Sequence, residues 1–405
     1  MINQLNTKDD WVSLSFLSVF AVLPFLDILA PIALGLCLVL SLAFKPKFNF
    51  FKNIAKQPLL VLLISYFILT LLSLTYSITI DKTVEKIGKN IAFLLIPLVF
   101  VLVNPDNQLI KKAQRVFVFA CTLFCLFSLT KLGYNYIIRF DESHWYNFIQ
   151  ESMYHKYMPE DAMYLNTALI FLLFGTFKKH IKLTVASLFF VIIVLFGVRL
   201  GLFIYGCIVG VYMLKNIQLF LNIKTLVVAV IAIAAMVSLL SINKFAQDKF
   251  YDTLEKIGFD TGDKVSKIGA EYHDISLRGK VWSTAINVIK EKPILGYGGG
   301  AEKKALNTAY EIAGYEKVKN FHAHNQLLSS SIQYGMIGAL LLLTICLALF
   351  FKVLKNKKTP LIVLTLLMIV SMFTESYFEL QQGIFYFCMF VSLVSVHLKA
   401  IEQRI

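Results

Sequence analysis

The chain has 405 residues, of which 58% are hydrophobic and only 16% are charged, and its mean hydropathy is +0.70. Soluble domains carry about 25% charged residues, so this composition excludes that class and predicts an all-α polytopic membrane protein. The formal net charge of +14 is explained by lysine and arginine in short loops and does not indicate nucleic-acid binding.

Apolar segments long enough to cross the hydrocarbon core recur along the chain and predict about twelve transmembrane helices. In the first pair, Pro24 and Pro31 are compatible either with a turn between two spans or with kinks alone. The predicted spans lie near 11–26, 28–44, 58–77, 86–103, 113–132, 161–177, 181–197, 200–214, 223–241, 325–350, 360–376 and 381–398.

The orientation follows from the basic residues, because short loops rich in lysine and arginine stay in the cytoplasm. With the N-terminus inside, the inner connections carry 19 basic and four acidic residues, whereas the rest of the chain carries 20 basic and 21 acidic ones. Both termini are therefore predicted to be cytoplasmic. Residues 1–241 then supply helices 1–9, residues 242–324 form one large outer loop, and residues 325–405 supply helices 10–12 and the C-terminus.

The outer loop is expected to be partly helical. From Lys280 to Lys290 apolar residues recur at helical spacing, which predicts a helix whose apolar face lies on the membrane or on the bundle. Pro293 ends this helix, the glycine-rich run 296–300 makes turns, and a second amphipathic stretch covers 301–316.

Arg199 is the only charged residue in an apolar stretch of about two dozen residues, VIIVLFGVRLGLFIYGCIVGVY. A cation there is costly unless it meets an anion or water, so it indicates a functional site. The alternative is that Arg199 lies in a short turn between two spans and reaches the interface. Arg278 in the outer loop and His324, where the loop re-enters the membrane, favour the functional interpretation.

Two segments of the chain carry a recognisable combination of motifs: SLRGKVWSTAINVIKEKPILGYGGG and HAHNQLLSSSIQYGMIGALLLL. An arginine before a tryptophan-bearing helix, then Pro-x-x-Gly-x-Gly, His-Asn and Gly-x-x-Gly, resembles the O-antigen ligase and polymerase superfamily. Val198, before the upstream arginine, departs from the family's small or hydroxyl residue. The matching residues are Gly197, Arg199, Arg278, Trp282, Pro293, Gly296, Gly298, His324, Asn325, Leu328, Gly335 and Gly338.

This resemblance implies a glycosyltransferase of the bacterial inner membrane whose active site faces the periplasm. Its donor would be a glycan linked to undecaprenyl diphosphate, and its acceptor would be the lipid A-core oligosaccharide. No nucleotide sugar, metal or other cofactor is implied, and no nucleic-acid partner. The oligomeric state is left open.

The residues suit this chemistry on physical grounds. Cleavage of a bond between a sugar and a diphosphate builds negative charge on the leaving group, which preorganised cations can stabilise. A guanidinium is always protonated and binds phosphate oxygens in a bidentate manner. Arg199 and Arg278 are therefore predicted to bind one diphosphate between them.

His324 is the predicted general base for the acceptor hydroxyl, because histidine takes up a proton near neutral pH. Asn325 either orients His324 or caps the following helix. A single attack at the anomeric carbon would invert its configuration. The alternative is that His324 and Asn325 only form a helix N-terminus. His322 and His324 without a nearby carboxylate make a weak metal site.

Several other residues are predicted to support the site or are compatible with two interpretations. Trp282 is predicted to support the site, and Gly296 and Gly298 supply either backbone flexibility near the substrate or simple turns. The carboxylates Glu375 and Glu379 either face a cavity or are solvated at the interface. The six cysteines fall within predicted spans and show neither a disulfide framework nor zinc spacing.

Three functions are compatible with these features. The ligase is preferred, because the polymerases of the superfamily match the His-Asn motif less well. A polymerase or a protein O-oligosaccharyltransferase of the same superfamily is the first alternative. A lipid or solute transporter is the distant alternative. Transporters place charges near mid-membrane and show repeat symmetry, whereas here the notable residues gather on one face of the membrane and no repeat symmetry is visible.

Overall fold

The computed structural model describes residues 8–44, 50–139, 158–216 and 275–402. All regular secondary structure in these ranges is helical. The predicted span at 223–241 and the first part of the outer loop lie outside the described residues. The α-helices are α1 (Lys8–Val22), α2 (Leu26–Phe44), α3 (Phe50–Ala55), α4 (Pro58–Leu72), α5 (Ile80–Asn90), α6 (Ala92–Val103), α7 (Asn107–Arg139), α8 (Met158–Phe174), α9 (Lys179–Phe196), α10 (Arg199–Lys215), α11 (Ile275–Glu291), α12 (Glu302–Ile312), α13 (Gln326–Asn356), α14 (Thr359–Met372) and α15 (Gln381–Glu402).

In the described part of the chain, membrane-length helices are present at six of the predicted spans. Within the described ranges, six helices are long and apolar enough to cross a membrane, and α14 and residues 29–44 of α2 are shorter apolar helices. The first predicted pair is indeed two helices, because a short 3₁₀ turn at Leu23–Phe25 separates α1 from α2. Pro24 lies in that turn and Pro31 lies inside α2. The total of about twelve spans stays a prediction.

The chain divides into two compact units, Met1–Ala120 with Ser276–Ile405, and Cys121–Ile275. In the first unit α4 packs against α6, α13 and α15. Helix α15 is buried along most of its length and forms the centre of this unit. In the second unit α8 packs against both α9 and α10 and is buried almost throughout.

Helix α5 has one buried face that is polar. Ile80 and Val84 are exposed on one side, whereas Thr83, Lys86 and Asn90 are buried on the other. Charged residues of its first turns are exposed as well, so the unusual feature is the buried polar face, which suits a helix that lines a polar centre. The candidate span over Ile80–Val103, formed by α5 and α6, contains the predicted span at 86–103.

The described part of the outer loop is folded, as predicted. Its two amphipathic helices, α11 and α12, bury their apolar faces in a common small core. The core includes Val281 and Val288 of α11 with Leu306 and Tyr310 of α12. Helix α12 ends at Ile312, before Gly314, so the predicted amphipathic stretch at 301–316 was slightly too long.

Residues 293–300, here named the glycine strap, join α11 to α12 and pair with a break in α13. Gly335 has φ 63° and ψ −158° inside α13, which interrupts its hydrogen-bond ladder. The carbonyls of Ile332 and Gln333 accept hydrogen bonds from the Tyr297 and Gly298 amides at 2.9 Å each. The Met336 amide in turn donates to the Pro293 carbonyl at 2.7 Å. The break thus satisfies backbone groups of both segments.

Replacing Gly335 with alanine is expected to destabilise the fold. An added Cβ would lie 2.1 Å from the Ile294 carbonyl oxygen, and the backbone conformation alone costs a non-glycine residue about 1–3 kcal/mol. Thermal unfolding in detergent should therefore show a strongly lowered midpoint. Gly88 in α5 is the control, because its Cβ would meet open space. Equal midpoints for Gly335→Ala and Gly88→Ala would contradict the interpretation.

Candidate active site

His324 lies at the junction between the outer loop and α13, in a conformation that non-glycine residues rarely adopt. Its φ is 47°, in the left-handed region where strained residues at functional sites are often found. Its Nδ1 is 2.9 Å from Oε2 of Glu375, a residue of the connection between α14 and α15. The histidine is therefore paired with Glu375, a carboxylate whose role could not be decided from the sequence.

Glu375 also forms an ion pair with Arg278. The Nη2 atom of Arg278 is 3.6 Å from Oε1 of Glu375, while Oε2 faces His324. Two of the three residues predicted to be catalytic thus meet at one carboxylate. The Arg278 side chain is 49% exposed, so its guanidinium remains accessible to a ligand. Glu375 is thus paired with two groups, although its side chain is still 25% exposed.

The peptide groups on both sides of His324 are held by side chains. The Ala323 amide donates to Oε1 of Glu302 at 2.9 Å, and the Ala323 carbonyl accepts from Trp282 Nε1 at 3.0 Å. On the other side, the Asn325 amide donates to Ser376 Oγ at 3.3 Å. The predicted supporting residue Trp282 therefore anchors the backbone that carries His324.

Asn325 caps α13. Its Oδ1 accepts hydrogen bonds from the amides of Leu327 at 2.9 Å and Leu328 at 3.2 Å. Its Nδ2 donates to the Phe373 carbonyl at 3.3 Å. Of the two roles predicted for this residue, the structure supports the cap, which fixes the direction in which the chain enters α13.

Glu302, the first residue of α12, is a buried hub below the histidine. Its Oε1 accepts from Ser329 Oγ at 2.9 Å as well as from Ala323, and its Oε2 accepts from Gln333 Nε2 at 3.1 Å. Ser329 Oγ lies 2.7 Å from Ser376 Oγ, so both flanks of His324 belong to one network. Burial, reinforced by the nearby Glu379, raises the pKa of Glu302.

Replacing Glu302 with glutamine is expected to lower stability by about 1–3 kcal/mol, because the new NH₂ group cannot accept and leaves a buried donor unpaired. Chemical denaturation in detergent would measure the change. The control is Glu311→Gln on the same helix, since Glu311 is exposed and a surface substitution costs at most about 0.5 kcal/mol. Equal unfolding midpoints would contradict the role of Glu302.

A buried ion pair lies next to this hub. Lys86 Nζ is 2.5 Å from Oε1 of Glu379 and donates to the Phe378 carbonyl at 2.7 Å. Gln333 Nε2 donates to the same Glu379 oxygen at 2.7 Å. Burial alone would raise the pKa of Glu379, but the charges of Lys86 and His322 and the hydrogen bonds from Lys86 and Gln333 together outweigh it, and the pKa is lowered. Glu379 is therefore an internal counter-ion and is not solvated at the interface.

Carboxylates lie beside His322, contrary to the sequence-based expectation. The candidate ligand atoms of Glu302, His322 and Glu379 all lie within 4.8 Å of one another. His322 Nδ1 is 3.8 Å from Oε1 of Glu302. The two carboxylates already accept hydrogen bonds from Ala323, Ser329, Gln333 and Lys86, so a metal ion would have to displace some of these donors.

Gly296 and Gly298 act through close packing. Gly298 has φ 101°, and a Cβ there would lie 2.4 Å from the Ser77 side chain. Gly296 has φ 69°, and its Cβ would lie 2.5 Å from the Ile332 carbonyl oxygen. Of the two interpretations, the structure supports turn formation with close backbone approach, because each position has neighbours where a side chain would be.

Arg199 is the first residue of α10 in the second unit. Gly197, with φ 63°, ends α9, and the extended Val198 precedes α10. Within the same unit, Asn166 Nδ2 of α8 donates to the Gly201 carbonyl at 3.0 Å, which holds the beginning of α10. Arg199 thus directly follows the short turn between two helices. Its convergence with Arg278 and His324 stays a prediction.

Part of the chain is similar to a family of known proteins. Residues 163–343 match the family described as O-antigen ligase. The chain carries an O-antigen ligase family domain. It is also similar to an uncharacterized protein of Haemophilus influenzae, with 27% identity over 227 residues. That alignment covers 51% of this chain and 55% of the relative, so the match spans about half of each protein.

The O-antigen ligase family match explains which site residues the sequence could identify. Its limits include Arg199, Arg278 and His324, together with the glycine strap and the hub residue Glu302. Glu375 and Glu379 lie beyond residue 343, and Lys86 lies before residue 163. The partners that pair with His324 and balance the buried charge are therefore supplied from outside the matched segment. The helices and the family together describe an integral membrane protein.

Proposed function

We propose that this protein is an O-antigen ligase, which transfers a glycan from undecaprenyl diphosphate to the lipid A-core oligosaccharide. The observation that carries the proposal is the pairing of Glu375 with both His324 and Arg278. A base held by a carboxylate beside an exposed guanidinium suits attack on a sugar whose leaving group is an anionic diphosphate. The reaction would take place on the periplasmic face of the inner membrane.

In this mechanism Glu375 accepts the Nδ1–H of His324 and thereby leaves Nε2 as the proton acceptor. Nε2 takes the proton of the acceptor hydroxyl while its oxygen attacks the anomeric carbon. The bond from that carbon to the diphosphate oxygen breaks, and the electron pair stays on the leaving group. A single displacement inverts the anomeric configuration, and no step requires a metal.

Arg278 would stabilise the charge that develops on the leaving diphosphate. Its 3.6 Å contact with Glu375 is longer than a charge-assisted hydrogen bond, so the guanidinium can turn toward a phosphate without losing a strong bond. Glu375 would keep its shorter contact with His324. Arg199 is the second proposed diphosphate ligand, and it begins a helix whose N-terminal amides favour an anion.

The depth of α13 in a bilayer supports a site at the level of the lipid headgroups. Lys352 and Lys355 near its end mark the cytoplasmic interface. A hydrocarbon core of about 30 Å takes up about 20 helical residues, so counting back from Phe351 puts the outer edge of the core near Ile332. His324 then lies about 10 Å outside the core, near the level of the lipid headgroups. A diphosphate on a membrane-anchored carrier would lie at the same level.

Deleting the gene in its host and separating lipopolysaccharide on a gel tests the proposal. A ligase predicts loss of all bands above core, with long glycan accumulating on the lipid carrier. A core that carries one repeat would indicate a polymerase, and unchanged banding would indicate protein glycosylation or transport. Wild-type protein should restore the bands, whereas the His324→Ala variant, expressed at the same level, should not.

A further inference from the structure

The glycine strap exposes two large apolar side chains in a part of the chain predicted to lie outside the membrane. Ile294 is 66% exposed and Leu295 is 47% exposed. Both lie beyond the C-terminal end of α11 and are not part of the small core that α11 and α12 share. A pair of exposed apolar residues on an ordered turn indicates a surface that something apolar covers.

These side chains adjoin an exposed apolar face of α13. The strap backbone touches α13 at its break, because a Cβ on Gly335 would lie 2.1 Å from the Ile294 carbonyl oxygen and 2.7 Å from the Leu295 amide. Immediately after the break, Met336, Ile337 and Leu340 are exposed. The exposed residues of the strap and of α13 therefore lie side by side at the same level.

This level falls inside the hydrocarbon core. With the outer edge of the core near Ile332, Gly335 lies about 5 Å below that edge at 1.5 Å per residue. The lipids that cover Met336 and Leu340 would therefore reach Ile294 and Leu295 as well. Lys290 and Lys292, at the other end of the turn, are exposed and suit the headgroup region, where lysine ammonium groups reach phosphates.

We propose that the tip of the glycine strap, Ile294 and Leu295, is inserted into the outer leaflet and is covered by the acyl chains of the bilayer. This part of the outer loop would then be an interfacial anchor that holds α11 and Arg278 at headgroup level. The occupant is bilayer lipid because the apolar surface continues directly onto a membrane-spanning helix. The anchor does not depend on the reaction that the protein catalyses.

Site-directed spin labelling tests this contact. Single cysteines at Ile294 and Leu295 would be introduced into a full-length background without the six native cysteines, labelled with a nitroxide, and reconstituted in phosphatidylcholine and phosphatidylglycerol vesicles. Power saturation compares collision with oxygen, which concentrates in lipid, and with a water-soluble nickel chelate. Leu340→Cys gives the reference for lipid. Glu316→Cys, in the turn after α12, gives the reference for water, since the charged Glu316 side chain is 71% exposed.

The labels at 294 and 295 are expected to match the label at 340, with high oxygen and low nickel accessibility. Accessibilities like those at 316 would overturn the proposal, because the strap would then lie in water. Low accessibility to both reagents would also overturn it, because protein rather than lipid would cover the strap. A monodisperse elution profile of each labelled variant confirms that the fold is retained before the comparison is made.

Discussion

Replacing His324 with alanine is expected to lower the rate constant of glycan transfer by about 100- to 10,000-fold, the usual contribution of a general base. The donor should still bind, because the proposed phosphate ligands are unchanged, so kcat should fall far more than the donor KM rises. Purified protein with a lipid-linked donor and lipid A-core acceptor would give both constants. His180→Ala is a matched control, since His180 is exposed near the beginning of α9.

The Glu375→Gln variant separates the base mechanism from a purely structural role of His324. The glutamine keeps the shape of the side chain, but its amide can donate to Nδ1 and so favour the tautomer that carries its proton on Nε2. We expect a loss of transfer of about 100-fold or more, by the same estimate for a general base, with little change in the thermal midpoint. Full activity of Glu375→Gln or His324→Ala would refute this assignment.

The candidate site residues that could be predicted from the sequence lie within the segment that matches the O-antigen ligase family. The membrane-length helices could be predicted from hydropathy. Asn325 was recognisable as a cap because a short polar side chain precedes an apolar helical run. Trp282 was recognisable as supporting, although its hydrogen bond to the Ala323 carbonyl follows only from the fold. The pairing of the glycine strap with α13 was not predictable, because it requires a break at Gly335, and a single glycine inside a helical pattern does not by itself indicate a break.

The site residues that could not be predicted from the sequence have a physical cause in common. Lys86 resembles the exposed charged residues beside it in α5, and nothing in the local sequence shows that its side of the helix is buried. In the sequence, Glu302 looks like one of the charged residues on the exposed side of an amphipathic helix, although it is buried. Glu375 lies 51 residues from His324, and nothing local in the sequence distinguishes it from a solvated residue at the end of a helix. Only the packing of α14 and α15 against α13 places these groups together.

Replacing Arg278 with lysine is expected to reduce transfer by about 100- to 1,000-fold, the usual cost of removing one group that stabilises developing charge. Lysine keeps the positive charge but loses the planar fork that binds two phosphate oxygens. The effect should fall on kcat and also raise the donor KM, whereas His324→Ala mainly lowers kcat. The same replacement at Arg115, in α7 outside the proposed site, is the matched control and should leave both constants unchanged.

Arg199→Lys and the double variant test whether the two arginines bind the same diphosphate. If both side chains hold one leaving group, the loss in the double variant should be clearly smaller than the product of the two single losses, because each single change already disturbs the shared clamp. Independent, multiplicative losses would show that Arg199 acts elsewhere, for example at the membrane interface. Wild-type transfer by both single lysine variants would exclude bidentate phosphate binding at these positions, and the charge on the leaving group would then need another partner.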